Sequence, residues 1–320
     1  MPARFIIENA LETGALKPGG LVIESSSGTF ALGLAMVCAN LGLQLSLVTG
    51  PLEDSVKWRL EHLGANIEII PSAGGTLGGI QQARLNGLKQ ILADNPGAFW
   101  TQQYTNPLHP AAYASIGHSI GKAIGKIDFL VASVGSGGSI CGMVRALREN
   151  NPELSAIAVD HNLSVLFGPT SGRAYPLCQE CYVLLLGMGS DIVIPNLDHT
   201  QCDEVHWLPV AKMINAVHHI HSNYGLLLGP TAGAAYAVAD WVVRMNPGKN
   251  VLTIFPDHGI RYMQTVFEPE WLNERAEELK RDWSHPTIVE DPKEVGRDWA
   301  YFPWGRRSYR EVLGHDPVSR

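Results

Sequence analysis

The sequence predicts an α/β protein built as two three-layer αβα domains with mostly parallel sheets. Three observations carry this expectation. Short apolar strands alternate with helical patterns, glycine-rich turns sit where strand passes to helix, and Asn106-Pro-Leu-His-Pro110 breaks the chain between two such runs. In order, residues 4–15 read helical, with Phe5, Ile6, Ala10 and Leu11 on one face, and Gly19-Gly20 ends that pattern. Leu21–Ile23 reads as a buried strand, Ala31–Ala39 as an apolar helix and Leu45–Val48 as a strand. Ser55–Leu63 is helical and stops at Gly64; Ile67–Ile70 is a strand and Ile80–Leu92 a helix. Beyond the break come strand Phe129–Ala132, helix Ile140–Arg148, strand Ala156–Val159, helices Val210–Ser222 and Thr231–Val243, and strand Val251–Phe255. Strands that are apolar throughout, separated by helices, fit parallel sheets covered on both faces. The expected units are residues 1–106, 107–266 and a tail, 267–320.

That tail differs in kind. It holds 21 of the 55 charged side chains and four of the eight tryptophans, with a helix expected over Pro269–Trp283. Aromatic anchors among charges suit a segment laid over a surface, and packing on its own domain is the expectation over docking on a partner. The whole chain carries net charge −7, which disfavours nucleic acid as a partner. No run approaches the about 18 apolar residues of a membrane span. Residues 1–14 lack the apolar core of a secretory signal. Five cysteines are too few and too scattered for a disulfide scaffold and fit a reducing cytoplasm.

Three strand-to-helix junctions could carry chemistry. Val131-Ala-Ser-Val-Gly-Ser-Gly-Gly-Ser139 ends a strand in glycines, where backbone N–H groups and a helix N-terminus can meet an anion. Ile140 occupies the third-glycine place of the dinucleotide fingerprint and no Gly-Lys-Ser/Thr follows, so no nucleotide signature is present. On residues alone this is either a phosphate cup or a plain βα turn. Glu24-Ser-Ser-Ser-Gly-Thr29 offers hydroxyls and amides for a carboxylate, or ordinary helix caps. In Gly229-Pro-Thr231, Thr231 is either an N-cap or a hydroxyl aimed into a pocket. Cys178 and Cys181 have metal-type spacing, but a zinc site would need the fold to bring His199 and Cys202 to them, and no metal is expected. His218 and His221 share a helix face and read as surface or core polarity.

Taken together, these segments resemble the cysteine synthase and cystathionine β-synthase family, pyridoxal-phosphate (PLP) enzymes of fold type II with a tryptophan-synthase-β-like architecture. Glu12-Thr-Gly-Ala-Leu-Lys-Pro-Gly19 with Glu24–Gly28 is similar to its E-x-G-x-L-K-P-G … E-x-T-S-G-N-T-G. Gln102-Gln-Tyr-Thr-Asn-Pro107 resembles Q-Q-F-x-N-P, and Gly135-Ser-Gly-Gly-Ser139 resembles G-T-G-G-T. Gly187-Met-Gly189 with Ile194-Pro195, Gly229–Gly233 and Pro256-Asp-His-Gly-Ile-Arg-Tyr262 complete the order. The resemblance spans about residues 4–266. It implies that Gly135, Ser136, Gly137, Gly138 and Ser139 hold the cofactor phosphate, that Thr231 faces the pyridine nitrogen, and that Thr29 stands beside the ring hydroxyl. It implies that Ser26, Ser27, Gly28 and Gln103 bind the amino-acid carboxylate, with Gly187 near the substrate. A hydroxyl at the ring nitrogen makes the cofactor a moderate electron sink, suited to β-replacement and β-elimination.

Two departures stand out. Thr29 and Phe30 replace the family's Asn and Thr, making a drier, bulkier pocket. The family's Schiff-base lysine lies in an S-x-K-D-R motif just before the segment matching Pro2–Ile7, and none of the nine lysines here matches it. An upstream start to the reading frame is the expectation. The implied function is β-replacement on an O-activated serine in amino-acid biosynthesis, with cysteine synthase as the default, acting as a cytoplasmic homodimer on a small amino-acid substrate. The alternatives are a β-elimination lyase or diaminopropionate-type synthase, and, in another class, a catalytically silent relic acting by binding.

Overall fold

The computed structural model describes residues 1–70, 80–168, 187–281 and 283–318. Two sheets organise it. The first contains β1 (Leu21–Ser25), β2 (Gln44–Thr49), β3 (Ala65–Ile69) and β4 (Phe99–Trp100) in the order β3-β2-β1-β4, every pair parallel. Helix Thr29–Leu41 lays Phe30, Ala31, Leu34, Ala35 and Cys38 on one face of this sheet, joined by Ala3, Ile6 and Ile7 of helix Pro2–Glu12. Helix Ile80–Asp94 covers the other face, where Leu88 meets Ile23 and Val48. The apolar side chains of the two inner strands, β1 and β2, thus have a helix above or below them, which is what fully apolar strands require.

The second sheet runs β8-β5-β6-β7-β10-β9. Its β5 (Phe129–Ser133), β6 (Ser155–His161), β7 (Glu204–Leu208) and β8 (Val251–Thr253) are parallel. Helix Gly138–Arg148 packs on one face and helices Val210–Tyr224 and Pro230–Met245 on the other. The tail supplies β9 (Thr287–Ile288) and β10 (Ala300–Phe302), with β10 antiparallel to β7. Its aromatics are core: Trp299 joins the cluster of the two long helices, while Phe302, Trp304 and Tyr309 join the cluster beneath helix Gly138–Arg148. Trp299 Nε1 donates to His206 Nδ1 at 3.1 Å. No helix among the described residues is long and apolar enough to cross a membrane.

Several expected elements differ. The helix expected over Pro269–Trp283 is two short turns, Pro269–Asn273 and Ala276–Leu279. Trp271 and Trp283 are both buried, and one continuous helix would turn them roughly 120° apart. Helix Ala114–Ile124, β4 and β7 were not expected. The last strand of the parallel run ends at Thr253, two residues before the expected Phe255.

Candidate active site

The carboxyl ends of β1, β5 and β6 converge on a cavity of about 400 Å³, within the range for a cofactor plus a small substrate. Ser26, Ser27, Gly28, Thr29 and Gln103 line one side. Gly135, Ser136, Ser139 and Gly187 line the other. Gly137, Gly138 and Thr231 lie just behind the wall. Gly137 backs onto Leu197, Gly138 onto the His109 ring, and a Cβ at Gly187 would sit 3.9 Å from Thr231 Oγ1. The three separate sequence clusters therefore meet at one place.

Local hydrogen bonding decides between the alternative readings of each cluster. Helix Thr29–Leu41 starts at Gly28 with no side-chain cap, so the serines before it are not spent on capping. Ser27 Oγ instead accepts from Gly50 N at 3.0 Å and from Arg84 Nη1 at 3.1 Å, which leaves its own O–H free to donate. Glu24, fully buried, ties this loop to the next one. Its carboxylate accepts from Ser25 N at 2.7 Å, Gln103 N at 3.0 Å, Trp100 Nε1 at 3.4 Å and the Thr101 hydroxyl. Burial pushes its pKa up against those four bonds, which pull it down. Gln103 Nε2 donates to Ser25 O at 2.6 Å, so Gln103 braces the seat as well as facing the cavity.

At the third cluster Asp257 does the capping. It accepts from Thr231 N at 3.3 Å, Ala232 N at 2.8 Å and Tyr262 Oη at 3.0 Å. Thr231 Oγ1 is left buried with no hydrogen-bond partner among the described residues. A buried hydroxyl beside a cavity, freed of its capping duty, suits one polar atom of a ligand. At the glycine cluster after β5, Gly137 has φ +75, and an added Cβ would stand 2.8 Å from the Leu197 backbone. The glycine lets the turn lie against that backbone while the amides at the start of helix Gly138–Arg148 stay open. The orphan hydroxyl, the bare-backbone cup and the carboxylate seat are what PLP with an amino acid would need, and the residues present fit that group.

Sequence reading missed four residues here. Arg84, in the middle of helix Ile80–Asp94, is buried in the cavity wall and also donates to Ser25 Oγ at 3.1 Å and Tyr104 Oη at 3.3 Å. Its helix carries no motif, so nothing local announced it. His109 is buried against Ser136. Arg261 Nη2 donates to Ser27 O at 3.0 Å across 234 residues of sequence. Asp257 stood inside a quoted motif without a role. The zinc idea does not assemble around its described members. His199 Nε2 bonds Leu166 O at 2.7 Å, Cys202 is core, and Cys178 and Cys181 lie outside the described residues. His218 Nε2 bonds Val266 O, and His221 packs edge-on against Phe267.

None of the nine lysines is among the cavity-lining residues. Borohydride reduction of the PLP-loaded 320-residue chain is therefore expected to leave no stoichiometric pyridoxyl group on any of them. A pyridoxyl-lysine peptide found by mass spectrometry would show that the cavity is drawn wrongly.

A family model described as pyridoxal-phosphate dependent enzyme matches residues 1–257. The chain is 33% identical over 279 residues to N-(2-amino-2-carboxyethyl)-L-glutamate synthase of Cupriavidus metallidurans, covering 85% of this chain and 79% of that protein. Among solved structures it resembles the O-acetylserine dependent cystathionine beta-synthase from Helicobacter pylori, with TM-score 0.72 and 25% identity over 82% of this chain and 83% of that one. It also shares the fold of an O-ureido-L-serine synthase, with TM-score 0.73 and 23% identity over 84% of this chain and 82% of that one. A cavity with a buried, unpartnered hydroxyl behind its wall, and a family match running from Met1 through the Asp257 cap, lead to one assignment: the chain belongs to the pyridoxal-phosphate-dependent enzyme family, of fold type II.

Proposed function

We propose that the protein catalyses β-replacement on an O-activated serine whose activating group is anionic, with the amine of a second amino acid as the incoming nucleophile. The observation that carries the reading is Arg84, a buried guanidinium in a cavity wall that also holds the Asp191 carboxylate, the His109 and His161 imidazoles, hydroxyls, amides and apolar groups. A cation held there by hydrogen bonds to Ser25, Ser27 and Tyr104 stabilises an anion far more than it would in water. The Cupriavidus relative, named for joining an aminocarboxyethyl group to glutamate, supports an amine over a sulfur nucleophile.

PLP, when bound, withdraws electrons from the substrate's α-carbon and so loosens the β-substituent. Around it the chain's residues bind, orient and screen the reactants. Ser26, Ser27 and Gly28 present an O–H and amides to the α-carboxylate at a helix N-terminus, with Gln103 bracing them. Gly135 to Ser139 would hold the phosphate, with Ser136 and Ser139 adding hydroxyl donors. Thr231 would offer the ring a neutral hydroxyl, and Thr29 would line the ring's site. Phe30 walls the cavity and excludes water from the leaving side. Arg84 balances the charge that gathers on the departing group.

The same reading has the protein in the cytoplasm as a homodimer. The free, buried thiols of Cys38, Cys141 and Cys202 support a reducing compartment.

The test compares O-phospho-L-serine with O-acetyl-L-serine, each offered with an amino acid or with sulfide, the frame being read both from Met1 and from any in-frame start before it. The wild type is expected to prefer the phosphate ester and the amine. Arg84→Met is expected to lower kcat/KM for O-phospho-L-serine about 100-fold while changing O-acetyl-L-serine by less than about threefold. Equal losses on both esters would reduce Arg84 to a brace for the serine loop, and sulfide as the better nucleophile would return the protein to cysteine synthesis.

A further inference from the structure

His109 has no role in the reading above, yet the cavity is built around it. It sits in the short turn Leu108–Ala111, which Asn106 sets by accepting from Leu108 N at 2.9 Å and donating to Thr101 O at 3.0 Å. Its imidazole is 3% exposed and lines the cavity. Phe30 packs on one side with ring centroids 5.0 Å apart, and Tyr113 stacks on the other at 6.3 Å. The ring edge fills the place a side chain at Gly138 would take, since a Cβ there would come within 2.2 Å of Cδ2. Nε2 lies 3.2 Å from Ser136 Oγ, while Nδ1 is buried with no partner among the described residues. The imidazole is thus clamped in one orientation, with one nitrogen on the cup.

We propose that His109 is a further residue of the cofactor-phosphate site, donating from Nε2–H to Ser136 Oγ so that the Ser136 hydroxyl turns its own proton to the phosphate. The inference rests on the reading of Gly135 to Ser139 as the phosphate cup. A serine hydroxyl has one proton to give. If Nε2 accepted it, Ser136 would show the phosphate only lone pairs, and Nδ1 would be left as a buried N–H with nothing to bond. The opposite tautomer leaves Nδ1 as a lone pair, the cheaper orphan, and frees the Ser136 proton for the anion. Burial lowers the His109 pKa to about 4, so the ring is neutral and has one N–H to place. The Phe30 and Tyr113 clamp fixes where it goes.

The probe is pyridoxamine 5′-phosphate, which needs no lysine, measured beside pyridoxamine, which lacks the phosphate. Affinities come from fluorescence titration, and the bound phosphate is followed by phosphorus NMR. His109→Phe keeps an aromatic ring in the clamp but removes the donor, and His109→Asn is too short to reach Ser136. Both are expected to weaken pyridoxamine 5′-phosphate about tenfold and shift its phosphorus resonance. Pyridoxamine is expected to stay within about twofold. His109→Gln, which keeps a donor, is expected to recover most of the loss. If both variants bind the phosphorylated probe as wild type does, or lose both probes equally, the assignment is overturned. Gly137→Asp separates the two layers. If that variant also keeps the probe, the cup itself is misread; if it loses the probe while the His109 variants do not, only the role of His109 falls.

Discussion

Gly137→Asp is expected to lose PLP by at least about 100-fold, the largest binding effect of any single substitution at the cup. Two independent costs add. The backbone at Gly137 has φ +75, which costs an L-residue about 1–2 kcal/mol. Its Cβ would meet the Leu197 Cα and N at 2.8 Å, atoms of a backbone that cannot swing aside. The carboxylate then adds a negative charge beside the start of helix Gly138–Arg148, whose open amides the phosphate needs. Two like charges about 4 Å apart repel by about 4 kcal/mol at an effective dielectric of 20. Gly137→Ala separates the costs, because it keeps the steric term and drops the charge. It is expected to bind PLP several-fold more weakly than wild type, and far better than the aspartate variant. Equilibrium dialysis of the three proteins, with circular dichroism to verify folding, decides the matter. An aspartate variant that holds PLP as tightly as the alanine one would remove the phosphate from this loop.

The second large effect belongs to Glu24, and it is on stability. Glu24→Ala removes the one acceptor shared by Ser25 N, Gln103 N, Trp100 Nε1 and the Thr101 hydroxyl. Buried donors left without a partner each cost about 1–3 kcal/mol, offset in part by no longer burying a carboxylate. A net loss of about 3 kcal/mol is expected, lowering Tm by roughly 4–5 °C at this chain length. The seat would loosen with it, because Gln103 N and Ser25 N mark its two sides. Glu24→Gln retains one good acceptor and is expected to lose about half as much. Thermal melts of both variants read the difference, and an alanine variant within about 1 kcal/mol of wild type would mean that water readily takes the place of the carboxylate.

Glu24 also shows how far sequence carries. Its motif was visible, but three of its four partners lie 76 to 79 residues later, and no local pattern reports a bond across that span. Strand-to-helix junctions were legible because their chemistry is local: a run of apolar residues, then glycines or hydroxyls, then a helix. What was not legible depends on distant packing. Helix Ala114–Ile124 escaped because Gly117 and Gly121 interrupt its apolar face, and the reason for Gly117 is a close approach to Ala146 of another helix. The strand β7 escaped because Glu204 and His206 look polar, although His206 is buried and takes its hydrogen bond from Trp299. Arg84 was hidden for the same cause, a charge on a helix whose inward face is known only once the first sheet exists. Thr231 was ambiguous until Asp257, 26 residues on, was seen to cap its helix instead.

The placement of the tail has a consequence for how the chain comes to be folded. The first sheet closes with residues that all lie before Thr101, so its pairings can form while synthesis continues. The second cannot. Its apolar clusters include Trp299, Phe302, Trp304, Tyr309 and Leu313, and β7 has its outer neighbour only when Ala300–Phe302 arrives. Until then Phe167 and Trp207 lack the aromatic lids that bury them in the finished molecule. Joining segments some 93 residues apart is entropically slow. The half that carries the proposed phosphate cup is thus the later to mature, its core complete only once Leu313 has been made.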